Sequence, residues 1–225
     1  HAAGAAPESP STRFLRAAQI CRVRDLNQLL VFSDLIKEMG DLIHVLQKER
    51  GASAGFLASS GAQFADRVAE RTAESLTIEG AVRARLNHID EQIDRISSGA
   101  RFFTRIAQGY QTFVALAKTR TQVQTLMIAP QDAVKAFTDG IASLLTIIFE
   151  AADIAANPQI SQAMVALVNF IQGKEFAGQE RATGSAGFSR GYFEGGELRR
   201  LHNLIEAQEH AFRVFKEFAA PQHAV

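Results

Sequence analysis

One arginine stands where the helical rhythm of the sequence calls for an apolar side chain. Arg50 lies seven residues after Ile43 and seven before Leu57. Positions seven apart lie on one stripe of a packed helix, so this spacing predicts that Arg50 faces a core. Around it lie the small residues Gly51, Ser53, Ala54 and Gly55. Small side chains let a neighbouring helix approach closely and leave room for a ligand, which would explain two glycines in a helix interior.

A second, similar motif follows 131 residues later. GQERATGSAGF, residues 178–188, pairs Glu180 with Arg181 as the first motif pairs Glu49 with Arg50, and it also contains Gly184 and Ser185. Apolar residues at helical spacing predict that Arg181 faces a core too, namely Leu167, Phe170, Ile171, Ala177 and Phe188. Lys174 interrupts that face, so the second motif is the weaker of the two.

Two core-facing arginines need a negative partner. Arginine keeps its proton in proteins, and an unpaired buried charge costs several kcal/mol. One candidate partner is Glu49 or Glu180, each adjacent to its own arginine and workable only across helices. The other is a small planar oxyanion held between the two guanidinium groups, whose paired N–H donors match its geometry. The residues leave both open.

Other reactive side chains do not form a convincing site. His202, Glu206 and His210 lie on one face of the last helix, where a solvated surface is the simpler interpretation, and Asp41 and His44 lack the second pair that a di-iron bundle requires. His44 lies six residues before Arg50 and either lines the same cavity or is a satisfied interior histidine. We therefore predict no metal, no cofactor and no enzyme activity.

The elements that position these residues are all helical. Helix-forming residues dominate the 225 positions, Pro is rare, and no segment alternates with a period of two. The expected helices cover about Arg13–Asp25, either separate from or continuous with Leu30–Leu57, then Gln63–Ile96, Arg101–Met127, Asp132–Ala156, Pro158–Ala182 and Glu197–Ala219. We interpret the glycine-rich Gly184–Gly196 as a loop or hinge. Long helices joined by short connections predict an all-α fold of up-and-down bundles, two four-helix bundles sharing long helices.

Composition narrows the function classes. The 24 basic residues balance 24 acidic ones, which argues against a nucleic-acid-binding surface, and the longest uncharged run is too polar to span a membrane. Cys21, the one cysteine, excludes an internal disulfide and is expected to pack as a small apolar side chain. Residues 1–10 are interpreted as a flexible leader or a remnant of cloning, residues 11–220 as the helical domain and 221–225 as a tail.

The two motifs together carry a family resemblance. LIHVLQKERGASAGFL and GQERATGSAGF resemble the nitrate- and nitrite-sensing domain of bacterial signalling proteins, over about Val31–Ala220. The resemblance implies a helical sensor that binds nitrate or nitrite between Arg50 and Arg181. Gly51, Ser53, Ala54, Glu49, Glu180, Gly184 and Ser185 are expected to support the site.

The same resemblance extends to context. RFLRAAQICRVRDLNQLL is similar to the start of soluble, cytoplasmic members, in which an antiterminator couples the sensor to an RNA-binding module. Because this sequence ends at Val225, we expect no such module in it and no nucleic acid bound by the chain itself. We expect an output module or a second copy to receive the signal. The alternative is a helical protein-interaction module in which both arginines make structural ion pairs only.

Overall fold

The computed structural model describes residues 10–91, 100–154 and 158–219, and it is helical there apart from short turns. The helices are α1 (Pro10–Ala58), α2 (Ala65–Asp90), α3 (Ala100–Gln124), α4 (Pro130–Ile154), α5 (Pro158–Arg190) and α6 (Glu197–Phe218). No strand occurs in these ranges, which confirms the predicted all-α class. None of the helices in the described ranges is long and apolar enough to cross a bilayer.

Helix boundaries follow the turn chemistry of the sequence in most places. Pro130 and Pro158 begin α4 and α5, where a missing N–H costs nothing and the fixed φ suits the first turn. Gly61 has a φ of 83° in the turn that follows α1, and Gly196 has a φ of 89° immediately before α6. These left-handed positions favour glycine because a Cβ would be strained there.

The sequence left open whether α1 is one helix or two, and it predicted a different end for α5. α1 is one continuous helix of 49 residues rather than two. α5 runs on to Arg190, so the loop predicted to begin at Gly184 is wrong and the turn is confined to 191–196. Gly187 lies inside this helix, and the ring of Phe193 packs where a Cβ at position 187 would be, which accounts for a glycine there. The turn predicted at 97–99, the helix end expected at Ala156, residues 1–9 and the tail lie outside the described residues.

One bundle is formed by α2, α3, α4 and the carboxyl-terminal part of α1. α1 packs on α2 and α4, and α3 packs on α4. Its apolar core falls into two clusters, and among the most buried side chains of the larger one are Phe32, Leu35, Met39, Leu42, Phe102, Phe113 and Phe137. Burial of these large side chains stabilises the bundle by roughly 1.5–3 kcal/mol each.

The second group of helices is α5 and α6, which pack on each other, and α5 also contacts α1 and α4. The two helices approach closely at Gly173, where a Cβ would come within 2.8 Å of the Phe212 ring. Phe170 adds a ring contact to Phe215, with centroids 5.2 Å apart. α1 and α4 therefore contact helices on both sides, which is the sharing of long helices that the sequence predicted.

The first part of α1 is exposed. Described side chains between Ser11 and Leu30 face solvent, including Phe14, Leu15, Ile20, Val23 and Leu26. Cys21 is exposed as well, so its expected burial was wrong. The bundle core begins at Phe32, which is 1% exposed. The predicted core periodicity thus applies from that residue onward.

Candidate anion site

A pocket of about 340 Å³ lies between α1 and α5, with α6 closing one side. Its lining includes Arg50 and Arg181, the two arginines that the sequence singled out. The other lining residues are His44, Gln47, Lys48, Lys174, Ala177, Gly178, Gln208 and Phe212. The structure therefore brings the two predicted ligands to one cavity, although they lie 131 positions apart in the chain.

Arg50 occupies the core stripe of α1 as predicted, with 6% of the residue exposed. Its Nη1 donates to Thr138 Oγ1 at 2.9 Å and to Glu175 Oε1 at 2.5 Å. Its Nη2 lies beside Gly178, where a Cβ would be 3.1 Å away. Glycine at that position lets the guanidinium reach the backbone of α5 and the pocket.

Glu175 on α5 is the internal counter-ion of Arg50. Its buried carboxylate also accepts hydrogen bonds from Gln47 Nε2 and Gln179 Nε2, each at 2.8 Å. The predicted alternatives for an ion pair, Glu49 and Glu180, were therefore wrong for Arg50. Sequence reasoning missed Glu175 because it lies 125 positions from Arg50 and no local spacing connects the two.

Glu49 faces the other side of α1, about 100° around the helix from Arg50. It is 0% exposed, and its carboxylate accepts from Arg120 Nε at 2.9 Å and Nη2 at 3.1 Å. Thr72 and Ser75 of α2 donate to the same carboxylate. This residue does not line the pocket. It joins α1 to α2 and α3 instead.

Arg120 completes that buried network, and nothing in the sequence pattern singled it out. Its Nη1 donates to Glu79 Oε2 at 2.8 Å. Burial by itself would lower the pKa of Arg120, but hydrogen bonds and charge from Glu49 and Glu79 outweigh burial and raise that pKa. The network is a paired, hydrogen-bonded set, the condition under which buried charges are tolerated.

Arg181 is exposed at the pocket mouth, so its predicted core-facing position was wrong. The stripe on which it lies is only partly covered, since Leu167 is 36% exposed and Phe188 is 77% exposed. Glu180 accepts a hydrogen bond from Gln208 Nε2 at 2.7 Å and so ties α5 to α6. The arrangement pairs one buried, fixed arginine with one accessible arginine.

Lys174 and His44 connect this pocket to a neighbouring cavity of about 490 Å³ between α1 and α5, because both residues line the two spaces. Lys174 Nζ lies 3.1 Å from His44 Nδ1. Burial lowers the pKa of Lys174, and the charge of Lys48 lowers it further. Burial also lowers the pKa of His44, as do Lys174 and Lys48. His44 is exposed yet lines the cavity, the first of the two alternatives that the sequence left open.

The expected supporting residues are scattered. Gly51 is exposed with open space beside it, Ser53 is buried, Ala54 is half-buried, and Gly184 is buried near Phe188. These four do not line the pocket, and the side chain of Ser185 lies outside the described residues. The role of the small residues in the site stays a prediction. Within the described residues, no three metal-ligating side chains form a group.

Comparisons with known proteins agree on one family. Residues 41–224 match the family described as nitrate and nitrite sensing. The chain is similar to a nitrate regulatory protein of Klebsiella oxytoca, with 35% identity over 208 residues, 92% of this chain and 51% of that protein. It is also similar to the solved structure of the NasR transcription antiterminator, with a TM-score of 0.83, 32% identity, and coverage of 95% of this chain and 57% of that one. The chain thus spans about half the length of the relatives it matches.

Proposed function

Because this chain belongs to the nitrate- and nitrite-sensing family, we propose that it binds nitrate or nitrite in the pocket between α1 and α5, with Arg50 and Arg181 as ligands. The observation that supports this most is the convergence of the two arginines on one pocket. A guanidinium offers paired N–H donors in a plane, which match the oxygens of a planar anion. Arg50 uses only Nη1 for its described hydrogen bonds, and Nη2 remains beside the pocket.

Binding would draw α5 toward α1. Arg181 is exposed at the pocket mouth, so ordering it on a shared anion favours a closed arrangement of the two helices. An anion shifts this equilibrium only by its preference for the closed state. α6 would follow α5 because the two pack closely at Gly173. The displacement would be read by an output module or a second copy, in the cytoplasm.

The role is binding without catalysis. The pocket lining consists of cations, amides, one imidazole, small residues and one aromatic ring, a set suited to holding an anion. The regulatory relatives reach beyond the span that this chain covers, so no nucleic-acid contact is proposed for the helices described here.

One observation favours the alternative of a purely structural arginine. Arg50 already has a buried carboxylate partner in Glu175, so its charge is compensated without any ligand. On this alternative the chain is a helical interaction module, and Arg181 is a surface residue.

Calorimetric titration separates the two functions. If the chain is an anion sensor, titration with sodium nitrate or sodium nitrite should give saturable heat, and sodium chloride at equal ionic strength should give far less. Equal heats for chloride and nitrate, or none for either oxyanion, would falsify the sensor. Arg67→Ala, which removes an exposed arginine on α2 outside the pocket, is the matched control for Arg181→Ala, which removes the exposed arginine of the pocket.

A further inference from the structure

We propose that Lys174 is a third cationic ligand of the anion pocket, and that His44 holds its ammonium group at the pocket wall until an anion arrives. The inference rests on the proposed anion-binding function and assigns new residues to the same site. It also predicts that protons and the anion bind cooperatively.

The register of α5 places Lys174 correctly for this role. Lys174, Gly178 and Arg181 follow the spacing i, i+4 and i+7, so they share one face of the helix. The two cationic positions are separated by about 10.5 Å of helix rise, with Gly178 between them. Arg50 enters from α1 with its Nη2 directly over Gly178. The cationic side chains of Lys174, Arg181 and Arg50 therefore surround the backbone of α5 at Gly178, where no side chain covers it.

The charges of the pocket leave Lys174 uncompensated. Arg50 pairs with Glu175, and Lys48 pairs with Glu74 at 3.1 Å. Among the described residues, no carboxylate forms a salt bridge with Lys174. Its half-buried ammonium is desolvated without a counter-ion, a situation that costs free energy. An anion in the adjoining pocket would supply the missing negative charge.

While no anion is bound, His44 supplies a neutral hydrogen-bond partner for Lys174. At 3.1 Å, Nδ1 is placed to accept a hydrogen bond from Lys174 Nζ, which requires an unprotonated Nδ1. The charged groups that face His44 are Asp41 and Lys48 on α1, Glu74 on α2 and Lys174 on α5. Protonation of His44 removes the acceptor and adds a positive charge beside the pocket. It would release Lys174 and strengthen anion binding.

Substitution of Lys174 tests the ligand role directly. Lys174→Met should weaken nitrate binding by at least about tenfold, since a nearby cation contributes strongly at reduced dielectric. Lys37→Met is the matched control, because Lys37 lines the neighbouring cavity and not the anion pocket, and it should change nitrate affinity by less than about twofold. Lys174→Arg should recover much of the lost affinity.

A second measurement determines how nitrate changes the pKa of Lys174. Reductive methylation with ¹³C-formaldehyde keeps each lysine cationic and gives a signal whose pH titration reports its pKa. Saturating sodium nitrate should raise the pKa of Lys174 and leave that of Lys37 unchanged. A purely structural Lys174 would show no such change, because its surroundings would not gain a negative charge.

The pH dependence tests the part assigned to His44. Nitrate affinity should rise as pH falls from about 7.5 to about 5.5, the range in which histidine titrates, and His44→Gln should flatten this dependence. The proposal is overturned if Lys174→Met binds nitrate as tightly as the unaltered chain, if nitrate leaves the pKa of Lys174 unchanged, or if the pH dependence survives His44→Gln. Nitrate binding that requires Arg50 and Arg181 but not Lys174 would overturn this inference alone. Absence of nitrate binding to the unaltered chain would overturn the proposed function as well.

Discussion

Glu49 and Arg50 are neighbours in the chain, yet each belongs to a different charge network on a different face of α1. Arg50 pairs with Glu175 of α5 at the pocket, and Glu49 pairs with Arg120 of α3 inside the bundle of α1, α2, α3 and α4. The step of about 100° between consecutive helical residues produces this division. α1 is therefore held on two faces by buried ion pairs at the same level, so a shift of α1 at the pocket would disturb both networks.

Loss of Glu49 should act on stability rather than on nitrate affinity. Glu49→Ala leaves Arg120 with one carboxylate instead of two, and breaking a buried pair costs roughly 3–5 kcal/mol. Urea unfolding measures this loss of unfolding free energy. Glu70→Gln, at a surface carboxylate 3.8 Å from Arg71, should stay within about 0.5 kcal/mol. A loss below about 1 kcal/mol in Glu49→Ala would mean that the network contributes little.

The two arginines should respond differently to truncation. Arg181→Ala removes an exposed side chain and should leave the unfolding free energy within about 0.5 kcal/mol of the original, while it abolishes the rise in melting temperature caused by nitrate. Arg50→Ala leaves Glu175 buried without its cation and should cost roughly 3 kcal/mol. Thermal melting with and without nitrate checks both. A nitrate response retained in Arg181→Ala would exclude Arg181 as a ligand.

Glu175 should compete with the anion for Arg50. Glu175→Gln removes the internal negative charge and keeps the shape, so nitrate affinity should rise by roughly three- to tenfold. Glu70→Gln removes an exposed carboxylate of α2 outside the pocket and should change affinity by less than about twofold. Calorimetry provides the affinities. Weaker binding in Glu175→Gln would show that the carboxylate positions Arg50 and does not compete.

Gly178 should be needed for access to the guanidinium of Arg50. Gly178→Ala places a Cβ 3.1 Å from Nη2, so the guanidinium must move by a few tenths of an ångström and nitrate should bind more weakly. Gly80→Ala, in the middle of α2 with open space beside it, should instead raise stability by about 0.5–1 kcal/mol and leave binding unchanged. Paired titration and unfolding experiments measure both quantities. Equal nitrate affinity in the two variants would contradict the assigned role of Gly178.

Acidification should destabilise the fold through His44. Burial and the cations Lys174 and Lys48 lower the pKa of His44 in the folded state, so the unfolded chain takes up the proton first as pH falls. This contribution to stability is present above about pH 6.5 and is lost as pH falls toward the lowered pKa. Urea midpoints between about pH 7.5 and 5.5 should fall less in His44→Gln than in the unaltered chain. His202→Gln, on the exposed face of α6, should keep the original slope.

The amino-acid sequence by itself determined the helical class, most helix ends, and the buried position of Arg50. These follow from local rules, because a period of seven, a proline at a helix start and a glycine in a turn act within a few residues. The two Glu-Arg motifs also identified the family, which the match over residues 41–224 confirms.

Only the tertiary structure decided which charges meet. Arg50 pairs with Glu175, 125 positions away, and Glu49 pairs with Arg120, 71 positions away. Local periodicity places a side chain on a face of its helix, but it does not say which helix packs there or how far two helices slide along each other. Arg181 shows the same limit. The sequence around Arg181 has apolar residues at helical spacing, but the side chain of Arg181 lies beside an open pocket. α6 packs on α5 at Gly173, and Arg50 of α1 approaches α5 at Gly178. The face of α5 between these two contacts, which carries Arg181, stays uncovered.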